Sequence, residues 1–122
     1  MAAYVKERRR FGRINARVPL QFKDIQRPIE IYNGTLTKDV SEGGVRFTSN
    51  DFLSIFTRLF VEVSVPSFSR PVKAISKVAW IQKQPRGSQY MVGLQFLDMT
   101  EEDRKHLAAF IARSPKPRMA GA

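Results

Sequence analysis

The chain has 122 residues, 43% of them hydrophobic, which suits one globular domain with a core of its own and argues against a disordered segment. Cysteine is absent, so disulfides, zinc–thiolate centres and cysteine nucleophiles are excluded together. Lysine and arginine number 21 against 11 acids, a formal charge of +10, and such a surplus favours an anionic partner: nucleic acid, nucleotide or membrane surface.

Residues 1–13 read as a flexible basic arm with no apolar period, crowding Arg8, Arg9, Arg10 and Arg13 around one acid, Glu7. Residues 14–113 read as the folded body. "RVPLQF" is short and β-leaning, with Pro19 acceptable at a strand start. "PIEIYNGTLTKDV" sets Ile29 and Ile31 on one face and then meets Asn33-Gly34, a turn or bulge signal. "GVRFTS" alternates Val45 and Phe47 against Arg46, and "LFVEVSVP" alternates Val61, Val63 and Val65 against Glu62 and Ser64. "PVKAISKVAWIQKQ" is a longer strand-like run ending at the loop "PRGS", and "YMVGLQFL" sets Tyr90, Val92, Leu94 and Phe96 on one face. Six β segments separated by turn signals predict a barrel or sandwich, with Trp80 and the strand phenylalanines in its core.

The end of the chain changes period. "MTEEDRKHLAAFIARSP" predicts a helix with Thr100 and Asp103 as a capping pair, acids in its first turn and Pro115 just past its end. Leu107, Phe110 and Ile111 form an apolar stripe that would cover one end or face of the barrel. Residues 114–122 read as a disordered tail. No apolar run approaches the roughly 20 residues needed to span a bilayer, and the leading arginines run into no secretory apolar region. The expectation is a cytoplasmic protein with no membrane insertion.

Enzyme signatures are missing. There is neither a G-x-x-x-x-G-K-[ST] loop nor a G-x-G-x-x-G. His106 is the single histidine, which removes two-histidine metal motifs and leaves a Ser-His-Asp triad nothing to build on; it reads as a solvated helix residue. No acidic cluster has calcium-loop spacing. The expectation is a non-enzyme without metal or cofactor.

Two short constellations remain: Arg9-x-x-x-Arg13, preceded by Arg8, and "DVSEGG", with Asp39, Ser41 and Gly44 at a strand junction. Singly, each reads better as ordinary structure, the first as a solvated basic arm and the second as a tight hairpin. Together, with the short strands and closing helix that follow, R-x-x-x-R and [D/N]-x-S-x-x-G resemble the PilZ domain from about Glu7 to Arg113. "GGVRF", "VAWI" and "VGLQFLDMTEEDRKHLAAFI" resemble the family in manner. The resemblance implies a six-stranded antiparallel β-barrel with a C-terminal helix, and a bacterial receptor for the second messenger cyclic di-GMP. Its ligand-binding residues would be Arg8, Arg9, Arg13, Asp39, Ser41 and Gly44.

These residue types suit that ligand. Arginine binds phosphate bidentately, stacks its flat face on a base and reads the guanine O6/N7 edge. A carboxylate such as Asp39 is the natural acceptor for the guanine N1–H and N2–H. The Ser41 hydroxyl donates or accepts at short range, and Gly44 lets the backbone come close or take positive φ. For Arg8, just before the motif, the resemblance implies contact with a second stacked ligand molecule, hence an intercalated dimer. The unliganded arm should be mobile because its charges repel, and ligand should order it. With no output domain of its own, the chain is expected to signal through an unidentified protein effector, as a monomer or by weak self-association.

Two rivals stand beside this reading. One is a nucleic-acid-binding small barrel, for which removing Asp39 would be neutral or favourable because phosphate electrostatics dominate. The other is a PilZ-like protein-interaction module without nucleotide, against which both intact motifs count.

Overall fold

The computed structural model describes residues 13–27 and 31–114. The expected arm apart from Arg13, the tail beyond Ser114, and Ile29 lie outside the described residues. Strands β1 (Ile14–Asn15), β2 (Pro19–Asp24), β3 (Asn33–Ser41), β4 (Gly44–Ser49), β5 (Arg58–Val63), β6 (Val72–Lys83) and β7 (Tyr90–Asp98) precede one helix, α1 (Glu101–Arg113). All pairings are antiparallel, in the order β3-β2-β5-β6-β7-β4, and β3 pairs with β4 to close the ring. The two-residue β1 lies along the same edge of β3 as β2, so the expected six-stranded barrel is the observed one.

Closure follows from the alternation. Leu20, Val40, Val45, Phe47, Val61, Val63, Val72, Val78 and Val92 are all buried and fill the interior. Phe22 and Phe47 meet there at 5.2 Å between ring centres. Each fully buried aliphatic or phenyl side chain contributes roughly 1.5–3 kcal/mol by leaving water. The helix packs against β6 and adds Leu107 and Ile111 to this core, with Phe110 half-buried beside them, as the stripe predicts. Thr100 Oγ1 accepts from the Asp103 backbone N–H at 3.1 Å, which is half of the expected capping pair. The Asp103 carboxylate turns to the barrel instead: it accepts from the Lys73 N–H at 3.0 Å and pairs with Arg70 at 2.9 Å, tying the helix to the start of β6.

Four expectations are corrected. Asn33-Gly34 is not a turn; it opens β3, opposite Phe22 and Gln21, and Gly34 has no left-handed φ, because pairing to β2 decides its conformation. Ile31, read as one of a strand's apolar face, lies before β3 and is 85% exposed. Trp80 is not core. A bulge between Val78 and Trp80 shifts the alternation by one residue and turns the indole to the outer wall, 37% exposed. His106, read as solvated, has its ring stacked on Phe68 at 3.5 Å between centres.

Gly44 marks the tightest approach in the ring. A Cβ there would run into the Leu94 backbone carbonyl of β7, while a Cβ on Gly34 would meet nothing within 4 Å. Gly44→Ala should therefore cost about 2–3 kcal/mol, read from urea unfolding midpoints, because backbone must move to admit the methyl. Gly34→Ala should be neutral or stabilising by about 0.5 kcal/mol, through a less flexible unfolded chain.

Candidate functional site

The site grows from a register. In β3, Thr37 and Asp39 are separated by a bulge, beyond which Asp39 opposes Arg46, Val40 opposes Val45, and Ser41 opposes Gly44. Val40 and Val45 point into the barrel, so Asp39 and Arg46 share its outer wall. On the other side of β3, Asn15 opposes Asp39. Thr37 fixes that side: its buried hydroxyl donates to the Ala16 carbonyl at 2.5 Å and accepts from the Val18 N–H at 3.0 Å. The stretch that follows β1 is thereby held beside β3, and Arg13, just before β1, reaches the same carboxylate as Arg46.

Asp39 is 1% exposed although it belongs to the outer wall, because two guanidiniums cover it. Arg13 Nη1 donates to Oδ1 at 2.8 Å. Arg46 donates from Nε to Oδ2 at 2.7 Å and brings Nη2 to the same oxygen. The hydrogen bond to Asp39 raises the pKa of Arg46 above its ordinary value; burial opposes this and the carboxylate's charge adds to it. Arg13 and Arg46 remain about a third exposed, at 38% and 35% of their side chains. One buried acid thus presents two half-exposed cations with their planes fixed, an arrangement suited to a compact polyanion.

Of the residues read from the sequence, Arg13, Asp39, Ser41 and Gly44 come together on this wall; Arg8 and Arg9 lie outside the described residues. Ser41 Oγ organises the hairpin between β3 and β4. It accepts from the N–H groups of Gly43 at 3.1 Å and Gly44 at 3.2 Å, and donates to the Gly44 carbonyl at 3.3 Å. The Gly43 carbonyl accepts from the Phe96 N–H at 2.8 Å, so the hairpin is also tied to β7. Gly44 has no left-handed φ; its lack of a side chain serves the close approach of Leu94.

Sequence reasoning missed Arg46, Thr37 and Trp80. Arg46 opposes Gly93 of β7, and Gly93 opposes Trp80 of β6, so Arg46, Gly93 and Trp80 form one row on the outer wall. The indole occupies the space that a Cβ on Gly93 would need, and so lies across β7 toward Arg46. An exposed aromatic surface thus borders the guanidiniums. The available signal was the outward position of Arg46 in "GGVRF", two residues beyond Gly44; nothing in the sequence announced the bulge that turns Trp80 outward.

A separate cleft of about 340 Å³ between β5, β6 and the start of α1 is lined by Tyr32, Phe60, Glu62, Lys73, Asp98 and Met99, among others. It contains none of the predicted site residues. Its two acids against one lysine disfavour an anion, and burial, followed by the charge and hydrogen bond of Glu62, raises the pKa of Tyr32.

Removing Arg46 would leave a desolvated carboxylate with one partner. Arg46→Ala should destabilise the fold by roughly 1–3 kcal/mol by urea unfolding, below the cost for a wholly buried pair because the guanidinium is partly solvated. Arg46→Lys should recover part of the loss, since an ammonium supplies the charge without the fork.

No curated protein matches the sequence. Among solved structures, the Bacillus subtilis inhibitor of motility (MotI/DgrA) is similar in fold, with 19% identity and a TM-score of 0.68 over 83% of this chain and 47% of that one. The present chain therefore spans about half the length of that protein. The PilZ domain of CeSA from a cellulose-synthesizing bacterium is similar over 82% of this chain and 94% of its own, with 14% identity and a TM-score of 0.55. The family model for the PilZ domain matches residues 7–113, which take in the Asp39 site, all seven strands and the helix, and the chain belongs to the PilZ domain family.

Proposed function

We propose that this protein is a cyclic di-GMP receptor, the general role of its family, and that it acts as an adaptor toward a protein effector. The observation that carries the reading is the contact between Arg13 and Asp39, 26 residues apart in sequence, which joins the R-x-x-x-R stretch to the D-x-S-x-x-G hairpin on one wall. A cyclic dinucleotide offers two phosphates for arginine forks and two guanines for stacking. Arg13, Arg46 and Arg9 supply the forks, and Arg8 stacks against a second, intercalated ligand. Trp80 supplies a flat face.

Asp39 has two tasks in this reading. It orients Arg13 and Arg46 while the site is empty, and it accepts from a guanine edge when an arginine moves onto phosphate. Ser41 and Gly44 hold the hairpin at the height the ligand needs. Charge-assisted hydrogen bonds contribute about 1.5–3 kcal/mol each, and micromolar binding requires about 8 kcal/mol, so four to six contacts with stacking suffice after ordering costs. Ligand neutralises the leading arginines and draws residues 4–13 onto the barrel, and the surface so made is what the effector reads.

Calorimetric titration tests this, with GTP as control. Cyclic di-GMP should bind saturably at two molecules per chain, and Arg8→Ala should lower the stoichiometry to one. Arg9→Ala and Arg13→Ala should each weaken binding by about tenfold or more. Asp39→Asn should also weaken it, whereas for a nucleic-acid binder the same change would be neutral or favourable. Absence of binding by folded wild-type protein would remove the receptor reading. In the same samples, amide exchange across residues 4–13 should slow when ligand is added; unchanged exchange would remove the ordering step alone.

A further inference from the structure

The chain between β4 and β5 exposes three large apolar side chains: Phe52 at 61%, Ile55 at 48% and Phe56 at 66%. The loop is held in a shape that keeps them out. The Thr57 N–H donates to the Ser54 carbonyl at 3.2 Å, closing a turn in which Phe56 has φ +72°. That is the left-handed region, where glycine is the unstrained residue and a bulky side chain is an outlier. The Phe56 N–H donates to the Val78 carbonyl at 2.8 Å, and the Val78 N–H to the Thr57 carbonyl at 3.0 Å, pinning the turn to β6. Gln89, in the turn between β6 and β7, donates to Asn50 Oδ1 at 2.9 Å, and Phe52 meets the Tyr90 ring edge-on at 5.7 Å. Two adjoining turns therefore make one face.

Cations frame that face. Lys77 Nζ lies 5.1 Å from the Phe56 ring centre and Lys83 Nζ 5.9 Å from that of Tyr90. Arg58 opposes Lys77 across β5 and β6, and Arg86 is exposed in the turn before β7. Asp51 is the acid within the loop. Apolar side chains at a tip, ringed by lysine and arginine on a protein of formal charge +10, match the two requirements of a peripheral membrane contact: apolar area to enter the interface and positive charge to meet the headgroups.

We propose that this face docks on an anionic lipid surface, with Phe52, Ile55 and Phe56 entering the interface and Arg58, Lys77, Lys83 and Arg86 meeting lipid headgroups. A second copy of the chain is disfavoured as the occupant because four cations facing their like repel. Stacked nucleic-acid bases are disfavoured because Lys77 and Lys83 already lie over the aromatic faces and Ile55 has no ring to offer. None of these residues belongs to the nucleotide site, so the proposal stands apart from the receptor reading.

The test is co-sedimentation of the full chain with vesicles of phosphatidylcholine alone and of equimolar phosphatidylcholine and phosphatidylglycerol. The protein should pellet with the anionic vesicles and not with the neutral ones. Phe52→Ser combined with Phe56→Gly should lower the bound fraction by roughly tenfold or more. The urea midpoint of that variant should hold or rise, since glycine relieves the left-handed turn. Lys77→Gln with Lys83→Gln should also weaken binding. Equal pelleting of the Phe52/Phe56 variant would mean that charge alone, such as that of the leading arginines, holds the vesicles, and the proposal would fall. It would fall equally if wild-type protein stayed in the supernatant. Phe52- and Phe56-dependent dimers in sedimentation velocity, or single-stranded oligonucleotide binding lost in the same variant, would assign the face to those occupants instead.

Discussion

A carboxylate removed from water needs compensating charge, and Asp39 finds it in two guanidiniums that arrive from opposite directions along the chain. Arg46 comes from the next strand by hairpin register. Arg13 comes from just before β1, whose two residues pair with Val40 and Asp39 of β3. This triad links the edge of the folded body to its wall. It keeps two arginines close together that would otherwise repel, and it holds their planes ready before any anion is present. The ligand-binding reading rests on that preorganisation more than on net charge, which attracts anions without discriminating among them.

The hairpin and the barrel depend on each other in the same region. Ser41 ties up the turn's amides, Gly44 lets β7 pass close behind, and Gly43 is tied to Phe96. A motif that looks from the sequence like a set of ligand contacts is also, residue by residue, what joins β3 to β4 and seals the ring. Closure of the ring alone therefore constrains this short stretch, apart from any contact it makes with a ligand.

The barrel was legible because its strands alternate cleanly. Val61, Val63 and Val65 needed no tertiary information to be placed inward, and Leu107 and Ile111 declared the buried stripe of the helix. Asn33-Gly34 misled because turn propensity is a local preference, overridden here by pairing with β2. Trp80 misled because a single bulged residue reverses every inference from period two, and no composition signal marks it. That Arg13 and Asp39 share a wall was implied by the resemblance to the PilZ domain, not by the residues alone. The part played by Arg46 was not implied, since an arginine alternating with core residues looks like any solvated strand position until the register shows what stands opposite.

Closure of the strands into a complete hoop has a mechanical consequence. Each of the six staves is hydrogen-bonded to a neighbour on both flanks, so none can slide or peel without breaking ladders on two sides at once. Such a scaffold is too stiff to relay an event at one rim to the opposite rim by internal shear. A partner of the kind proposed would therefore have to read a change in what covers the wall, and feel that relief directly.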